Sequence, residues 1–324
     1  MLVPPLAVEI VRGAGQALWS PRMADTPARM TIRALGAGFG AANPTAATPL
    51  EKAWIELCRM AAASGNDARW RAIRNTGAQP YAVIGDSHSR LLVRRARDPN
   101  GRWLAPLWWL ETGASARGLG RADARSGAGG RVRAAIDQAL GRIEAPVLLK
   151  FGQVDIEFVQ VFQRLERRER TFDPAAFQVF VLETMARYVA FVTGAVAPAD
   201  RARVRLCGLF PPALSDAAWR IGYLNAHITA MHGPAARDDL AERLAGIEIP
   251  DLARRTALHR DANIALAMAA EAEGLGFLDD FTPFLSGAGE VDPRYLGPAQ
   301  GADHHLDFHA VRPQVVDRLW PLFA

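Results

Sequence analysis

The residues of this chain that could do chemistry are one serine after a predicted strand and a group of histidines near the carboxyl end. Ser87 comes directly after the apolar run of residues 81–84 and the pair Gly85-Asp86, where a helical segment can begin. A serine hydroxyl becomes an effective nucleophile when a histidine takes its proton and an acid holds the other ring nitrogen. Residues 301–310 supply both types, with three histidines and two aspartates. Together these types are the ones needed for acyl transfer through a serine.

The tripeptide Gly85-Asp86-Ser87 also has a simpler interpretation. Asp and Ser are favoured in turns and as helix N-caps, so the pattern alone is more typical of a capped turn than of an active site. Three later polar loops, residues 113–116, 152–155 and 303–305, favour the functional interpretation, because loops after parallel strands can converge with the Ser87 turn at the carboxyl edge of the sheet. Backbone N–H groups at the helix start could then stabilise an oxyanion.

Apolar runs with strand character alternate with helical patterns, which predicts a parallel sheet covered by helices on both faces. The predicted strands are residues 81–84, 103–110, 145–151, 204–210 and 277–279. We therefore expect an α/β fold, a three-layer sandwich with a central parallel sheet of about five strands, in residues 76–324. Residues 1–75 are predicted to be a partly helical N-terminal extension, and residues 216–250 a helical insertion.

Composition argues against several classes of function. The net charge is +4, but the arginines are scattered and largely offset by acids, so we expect no nucleic-acid partner. No stretch of about 18 residues is free of charge, which predicts no membrane span. Two cysteines are too few for a disulfide framework, and residues 1–10 lack the pattern of a signal peptide. We expect a cytoplasmic protein, and the sequence does not indicate its oligomeric state.

The order of the polar blocks resembles that of the SGNH (GDSL-like) hydrolase superfamily over roughly residues 80–324. Gly85-Asp86-Ser87 matches the nucleophile block, and residues 113–118 resemble the second block. Residues 152–155 stand where the third block has Gly-x-Asn-Asp, and His305-Leu306 matches the last block. Residues 151–155 are also similar to the Phe-Gly-Glu-Ile-Asp run of a subgroup associated with bacterial polysaccharide gene clusters. The resemblance implies an SGNH or flavodoxin-like fold and a serine hydrolase.

The resemblance also implies roles for individual residues. Ser87 is the expected nucleophile, His305 the general base and Asp303 the orienting acid. Asp303 and His305 are two positions apart, where the family usually has three. His304 and His309 remain rival bases, because geometry rather than spacing decides such roles. The backbone N–H groups expected to form the oxyanion hole belong to Ser87, Gly113 and Ala116, the last at a position where the family usually has glycine.

The third block contains the largest departure from the family pattern. Val154 stands where the family has its asparagine, and its side chain cannot donate a hydrogen bond. Gln153 is the only nearby amide, and we expect it to supply the missing oxyanion donor through a turn at Gly152, which glycine permits. Hydrogen bonds that shape the site are expected from Asp86, His88, Gly152 and Asp155.

A metal site is the alternative use of the polar residues near the carboxyl end. Asp303, His304, His305, Asp307 and His309 are ligand types, but their spacing fits no standard zinc pattern, so we expect neither a catalytic metal nor a cofactor. The expected function is cleavage of a small-molecule or glycan ester, such as a carbohydrate O-acetyl ester, through an acyl-enzyme on Ser87. An O-acyltransferase acting on a glycan would use the same acyl-enzyme, whereas a binding module that retains the fold would form none.

Overall fold

A computed structural model describes residues 74–75, 77–121, 126–224 and 237–323. Five strands in these residues form one all-parallel sheet in the order β2-β1-β3-β4-β5. The strands are β1 (Ala78–Gly85), β2 (Trp103–Leu110), β3 (Val147–Lys150), β4 (Val204–Cys207) and β5 (Gly276–Leu278). The predicted α/β fold with a parallel sheet of about five strands is therefore confirmed. The predicted N-terminal extension lies outside the described residues, apart from residues 74 and 75.

Strand β1 carries the candidate nucleophile at its carboxyl end. Residues 81–84 have no exposed surface, as in a strand covered on both faces by helices. Gly85 ends the strand, and a Cβ at this position would lie 2.4 Å from the carbonyl oxygen of Lys150 on β3 and 2.6 Å from Cβ of Ser89. Only glycine fits this close approach, so Gly85 allows the chain to turn tightly into Ser87.

Helices cover both faces of the sheet. Those described are α1 (Ala116–Leu119), α2 (Ala128–Asp137), α3 (Gln160–Arg167), α4 (Pro174–Thr193), α5 (Asp216–Arg220), α6 (Arg237–Ala245), α7 (Leu252–Ala272) and α8 (Arg312–Leu319). Helix α4 packs against α1 and α7, whereas α8 packs against the short helical turn Ser87–Leu92 that follows β1. The strand order explains why helices lie on both faces. The connection from β1 to β2 and the connection from β2 to β3 run in opposite directions across the sheet, and right-handed crossovers therefore place them on opposite faces.

The long helix α4 begins where its sequence predicts. The Asp173 side chain accepts hydrogen bonds from the N–H groups of Ala175 and Ala176, and Pro174 occupies the first turn. Among the described residues, α4 is the one helix long and apolar enough to cross a membrane. Half of its most apolar window is buried inside the protein, as in the core helix of a globular domain, so it is weak evidence for a membrane span.

The predicted helical insertion contributes α5 and α6, and residues 225–236 between them lie outside the described part of the chain. These helices have an apolar cluster of their own, separate from the core around the sheet. Its buried members include Phe158, Trp219, Leu240 and Leu244. Phe158 belongs to the segment after β3, so the insertion is packed onto the loops at the carboxyl edge of the sheet.

Candidate active site

A chain of hydrogen bonds joins the turn after β1 to the loop before α8. Ser87 Oγ lies 2.8 Å from His305 Nε2, and His305 Nδ1 lies 3.1 Å from Asp303 Oδ1. Because a carboxylate can only accept, Nδ1–H donates to Asp303 and the Nε2 lone pair faces the serine hydroxyl. The backbone N–H of His305 also donates to Asp303 Oδ1 at 3.3 Å. A spacing of two residues therefore brings acid and histidine together within one turn.

Neighbouring side chains fix the turn that carries Ser87. Asp86 Oδ1 accepts the backbone N–H of His88 at 2.9 Å, which caps the turn. Ser89 is buried, where its hydroxyl donates to the Asp86 carbonyl at 2.6 Å and accepts the indole N–H of Trp108 at 2.9 Å. The Ser89 hydroxyl is therefore used as both donor and acceptor within the fold, whereas the Ser87 hydroxyl faces the histidine.

The charges around His305 favour a neutral ring beside an ionised acid. Burial lowers the pKa of His305, the neighbouring His88 lowers it further, and the bond to Asp303 opposes both. Burial alone would raise the pKa of Asp303, but hydrogen bonds from His304 and His305 outweigh it and hold this pKa well below its usual value. At neutral pH, His305 can therefore accept a proton while the Asp303 carboxylate stabilises the resulting imidazolium.

The loop after β2 is held by a carboxylate from the segment after β3. Asp155 Oδ2 accepts the backbone N–H of Ala116 at 2.6 Å, and Oδ1 accepts that of Arg117 at 3.2 Å. Burial raises the pKa of Asp155 to about 7, although the hydrogen bonds from these two N–H groups favour the charged form and oppose the rise. The Ala116 N–H is thus bonded to Asp155, which argues against the expectation that it serves as an oxyanion donor.

Two other backbone N–H groups at this edge of the sheet, those of Ser87 and Gly113, remain available to bind an oxyanion. Ser87 begins its helical turn, where the first N–H groups have no partner within the helix. Gly113 has φ +68°, and its N–H makes no hydrogen bond to another described residue. The two loops lie side by side, because Gly85 pairs with Leu110 and the Glu111 N–H donates to the Gly85 carbonyl at 2.8 Å.

Gln153 faces away from the role expected of it. Its Oε1 accepts the Phe210 N–H at 2.9 Å, and its Nε2 donates to Glu157 Oε1 at 2.8 Å and to the Phe210 carbonyl at 3.2 Å. Both amide hydrogens are used in these buried contacts. The chain does turn at Gly152, which has φ +103°, but the turn directs the amide toward the end of β4. This geometry argues against Gln153 as the replacement for the missing asparagine, because neither N–H is left for a substrate.

The remaining histidines of the loop differ in their surroundings. His304 is buried, with Nδ1 2.8 Å from the Tyr223 hydroxyl and 3.2 Å from Asp303 Oδ1. His309 is exposed, and its ring packs against Phe308. Of the three histidines named as candidate bases, His305 is the one that contacts Ser87.

A cavity of about 270 Å³ opens beside Ser87 and His305. Charged groups in its wall include Arg90, Asp303 and Asp307, and apolar residues make up much of the remainder. The apolar wall is formed by Leu91, Leu296, Pro298, Ala299, Leu306 and Phe308. The cavity is large enough for a small organic group and brings it next to the serine hydroxyl.

One residue of the site, Tyr223, carried little signal in the sequence. Tyr223 lies in the predicted insertion, and no spacing relates it to His304. His88, which was expected to shape the site through hydrogen bonds, lies in an Asp86-x-His88 turn with the same spacing as Asp303-x-His305 and the same contact from Nδ1 to the acid, here 3.2 Å. No model of a known protein family and no curated protein matches this chain.

Proposed function

We propose that this protein is a serine hydrolase of the SGNH type that cleaves an ester through an acyl-enzyme on Ser87. The observation that carries the proposal is the hydrogen-bonded series from Ser87 Oγ to His305 Nε2 at 2.8 Å and from His305 Nδ1 to Asp303 at 3.1 Å. Nucleophile, base and orienting acid lie within the distances that acyl transfer requires.

The proposed reaction has two steps. Ser87 Oγ attacks the ester carbonyl while His305 Nε2 takes the hydroxyl proton, and Asp303 stabilises the imidazolium. His305 then gives this proton to the departing alcohol as the bond from the carbonyl carbon to the alcohol oxygen breaks. In the second step His305 takes a proton from water, whose oxygen attacks the acyl carbon; the bond from this carbon to Ser87 Oγ then breaks, Ser87 regains its proton from His305, and the free acid leaves.

The proposed oxyanion hole consists of two backbone donors, the N–H groups of Ser87 and Gly113. Each such donor typically contributes about 2.7–4 kcal/mol to transition-state stabilisation. Val154 supplies no side-chain donor, so the rate is expected to be lower than that of a three-donor site by about a hundred- to thousandfold. This feature is compatible with an enzyme that acts slowly on simple esters.

The substrate is proposed to be a small-molecule or glycan ester, part of which occupies the cavity beside Ser87. The apolar walls suit an acyl or alkyl portion, and Arg90 and Asp307 provide charged partners for polar substituents. An acyl-enzyme in this cavity could also transfer its acyl group to a sugar hydroxyl. Adding acceptor sugars during turnover separates the two reactions, because transfer gives acylated sugar in place of free acid.

Labelling with a fluorophosphonate tests the proposal directly. The probe should react with Ser87, as mapped by peptide mass spectrometry, and hydrolysis of a short-chain chromogenic ester should be detectable. Ser87→Ala should abolish both signals. Ser115→Ala is the matched control, since this nearby hydroxyl caps α1 by accepting the Gly118 N–H at 3.0 Å and should leave labelling intact. Labelling confined to another serine, or a chromogenic activity that survives in Ser87→Ala, would contradict the assignment.

A further inference from the structure

Three buried imidazoles, those of His88, His304 and His305, form what we call the histidine cluster. The ring centroids of His304 and His305 are 3.8 Å apart, and His88 lies 4.6 Å from His305 and 5.3 Å from His304. One ring nitrogen from each lies within 4.8 Å of the other two. At most 8% of each residue is exposed. Acyl transfer needs one histidine as the base, so it does not explain why three imidazoles lie together here.

Every ring of the cluster has a carboxylate on the same nitrogen. Asp86 Oδ1 lies 3.2 Å from Nδ1 of His88, and Asp303 Oδ1 lies 3.2 Å from Nδ1 of His304 and 3.1 Å from Nδ1 of His305. A carboxylate on Nδ1 favours the tautomer that leaves the Nε2 lone pair available, and at His304 this requires the Tyr223 hydroxyl, 2.8 Å from the same Nδ1, to accept from it. This is the outer-shell arrangement that orients metal-binding histidines and raises their basicity.

His88 supplies an independent indication of a ligand. Its Nε2 is buried and makes no hydrogen bond of normal distance and angle to the described residues, although the His304 backbone interacts with this ring and Nδ1 is bonded to Asp86. Buried polar atoms normally have a partner. An Nε2 without such a bond, beside two other histidines, is the environment in which a bound cation would supply the missing interaction.

We propose that the histidine cluster binds one divalent transition-metal ion such as Zn²⁺ through Nε2 of His88, His304 and His305. In a tetrahedral zinc site the Zn–N distance is about 2.0–2.1 Å, which corresponds to about 3.4 Å between ligand nitrogens. One ring nitrogen from each histidine now lies within 4.8 Å of the others, so the rings must rotate to bring the three Nε2 atoms to the zinc separation. A water molecule completes the tetrahedron.

The bound ion inhibits the reaction proposed for Ser87, and this consequence rests on the proposed function. His305 Nε2 has a single lone pair, which cannot both coordinate the metal and accept the serine proton. Coordination breaks the 2.8 Å hydrogen bond, and the Ser87 hydroxyl keeps its proton. The three nitrogens donate electron pairs, no group is oxidised or reduced, and a chelator reverses the change. The metal therefore acts as a reversible inhibitor.

Metal binding is measured without reference to activity. Chelator-treated full-length protein is titrated with Zn²⁺ by calorimetry and with Co²⁺ by visible absorption, which is intense when Co²⁺ is tetrahedral. We expect one ion per chain. His88→Phe and His304→Phe, which keep an aromatic ring in place, should each weaken binding at least about 10- to 100-fold, the loss that even an outer-shell change produces. His309→Ala is the control, because this exposed histidine lies outside the cluster. Circular dichroism verifies that each variant is folded.

Inhibition is measured by fluorophosphonate labelling of Ser87 with and without Zn²⁺. Zn²⁺ should suppress labelling, and a chelator should restore it. The proposal is overturned by an absence of Zn²⁺ binding, by affinity that His88→Phe and His304→Phe leave unchanged, or by full labelling of the zinc-loaded protein. If the metal-free protein is not labelled at all, the proposed function fails. The number of Zn²⁺ ions bound per chain, and the loss of binding in His88→Phe and His304→Phe, still test the metal site in that case.

Discussion

Replacing Gln153 by methionine separates a structural role of this side chain from a chemical one. Methionine keeps the volume of glutamine but removes its hydrogen bonds, so little cavity is created. Two buried groups then lose the partner they have, the Phe210 N–H and Glu157 Oε1. The Phe210 carbonyl retains a second partner, since His259 Nδ1 lies 3.0 Å from it. Each group left without a partner costs about 1–3 kcal/mol, so the free energy of unfolding should fall by about 2–6 kcal/mol.

Urea unfolding and steady-state kinetics measure the two effects on the same preparations. A loss of this size is a large fraction of the about 5–15 kcal/mol that stabilises a typical domain, so kcat is measured at low temperature and referred to folded protein. Gln160→Met is the matched control, because Gln160 is also buried but makes no side-chain hydrogen bond to another described residue. It should cost less than about 1.5 kcal/mol. Neither variant should change kcat for a chromogenic ester.

The opposite pattern would refute this reasoning. An amide that donates to the oxyanion contributes mainly in the transition state, and its removal lowers kcat by about a hundred- to thousandfold. A loss of that size in Gln153→Met with an unchanged free energy of unfolding would mean that the amide turns toward the substrate during the reaction. The two-donor oxyanion hole of Ser87 and Gly113 would then be wrong.

Three further predictions concern the site and the core. Asp303→Asn should lower kcat on the order of 10⁴-fold, measured with a chromogenic ester, because the amide favours the wrong tautomer of His305. His305→Ala should lower kcat by several orders of magnitude and His309→Ala far less, and equal losses in the same assay would contradict the assignment of the base. Burial lowers the pKa of His259 to about 4, so between pH 6.5 and 4 the unfolded chain binds a proton that the folded protein does not. His259 thus lowers stability as pH falls through this window, by up to about 3 kcal/mol, and His259→Gln should flatten the pH dependence of urea unfolding by that amount. Burial raises the pKa of Glu157 to about 7 and acts in the opposite sense, and because Glu157 Oε1 lies 3.9 Å from His259 Nε2, the comparison is made with Glu157→Gln present in both proteins.

Buried strands were the most predictable part of the fold, because an apolar run between turn residues has few alternatives in a chain of this composition. The end of β4 was less predictable. The apolar run extends to Phe210, but the strand ends at Cys207. The Leu209 N–H donates to the Asn263 side chain at 2.7 Å, and the Phe210 N–H donates to Gln153. Side chains that are distant in sequence accept the backbone hydrogen bonds that a neighbouring strand would otherwise accept. Such contacts cannot be predicted from the local pattern of apolar residues.

The same limit applies to the candidate site. That the loops after parallel strands meet at one edge follows from topology, so proximity of Ser87 to the loop at His305 could be expected. Which backbone N–H groups remain free could not, because that depends on where each neighbouring side chain points. The carboxylate of Asp155 reaches the Ala116 N–H across 39 positions of sequence. A sequence motif shows which residue types are present, but it does not show which side chain already binds each backbone N–H group.

The two Asp-x-His turns explain why spacing alone does not identify a base. In each turn the aspartate Oδ1 accepts the backbone N–H of the histidine two positions later, at 2.9 Å for His88 and 3.3 Å for His305. In each it also lies next to Nδ1 of the same ring, at 3.2 Å and 3.1 Å. The pairing of acid and histidine is therefore a local property that the tripeptide provides by itself. The two turns differ at Nε2, which contacts the Ser87 hydroxyl in His305 and makes no hydrogen bond of normal distance and angle to the described residues in His88. Function at these turns is decided by the tertiary contact at Nε2.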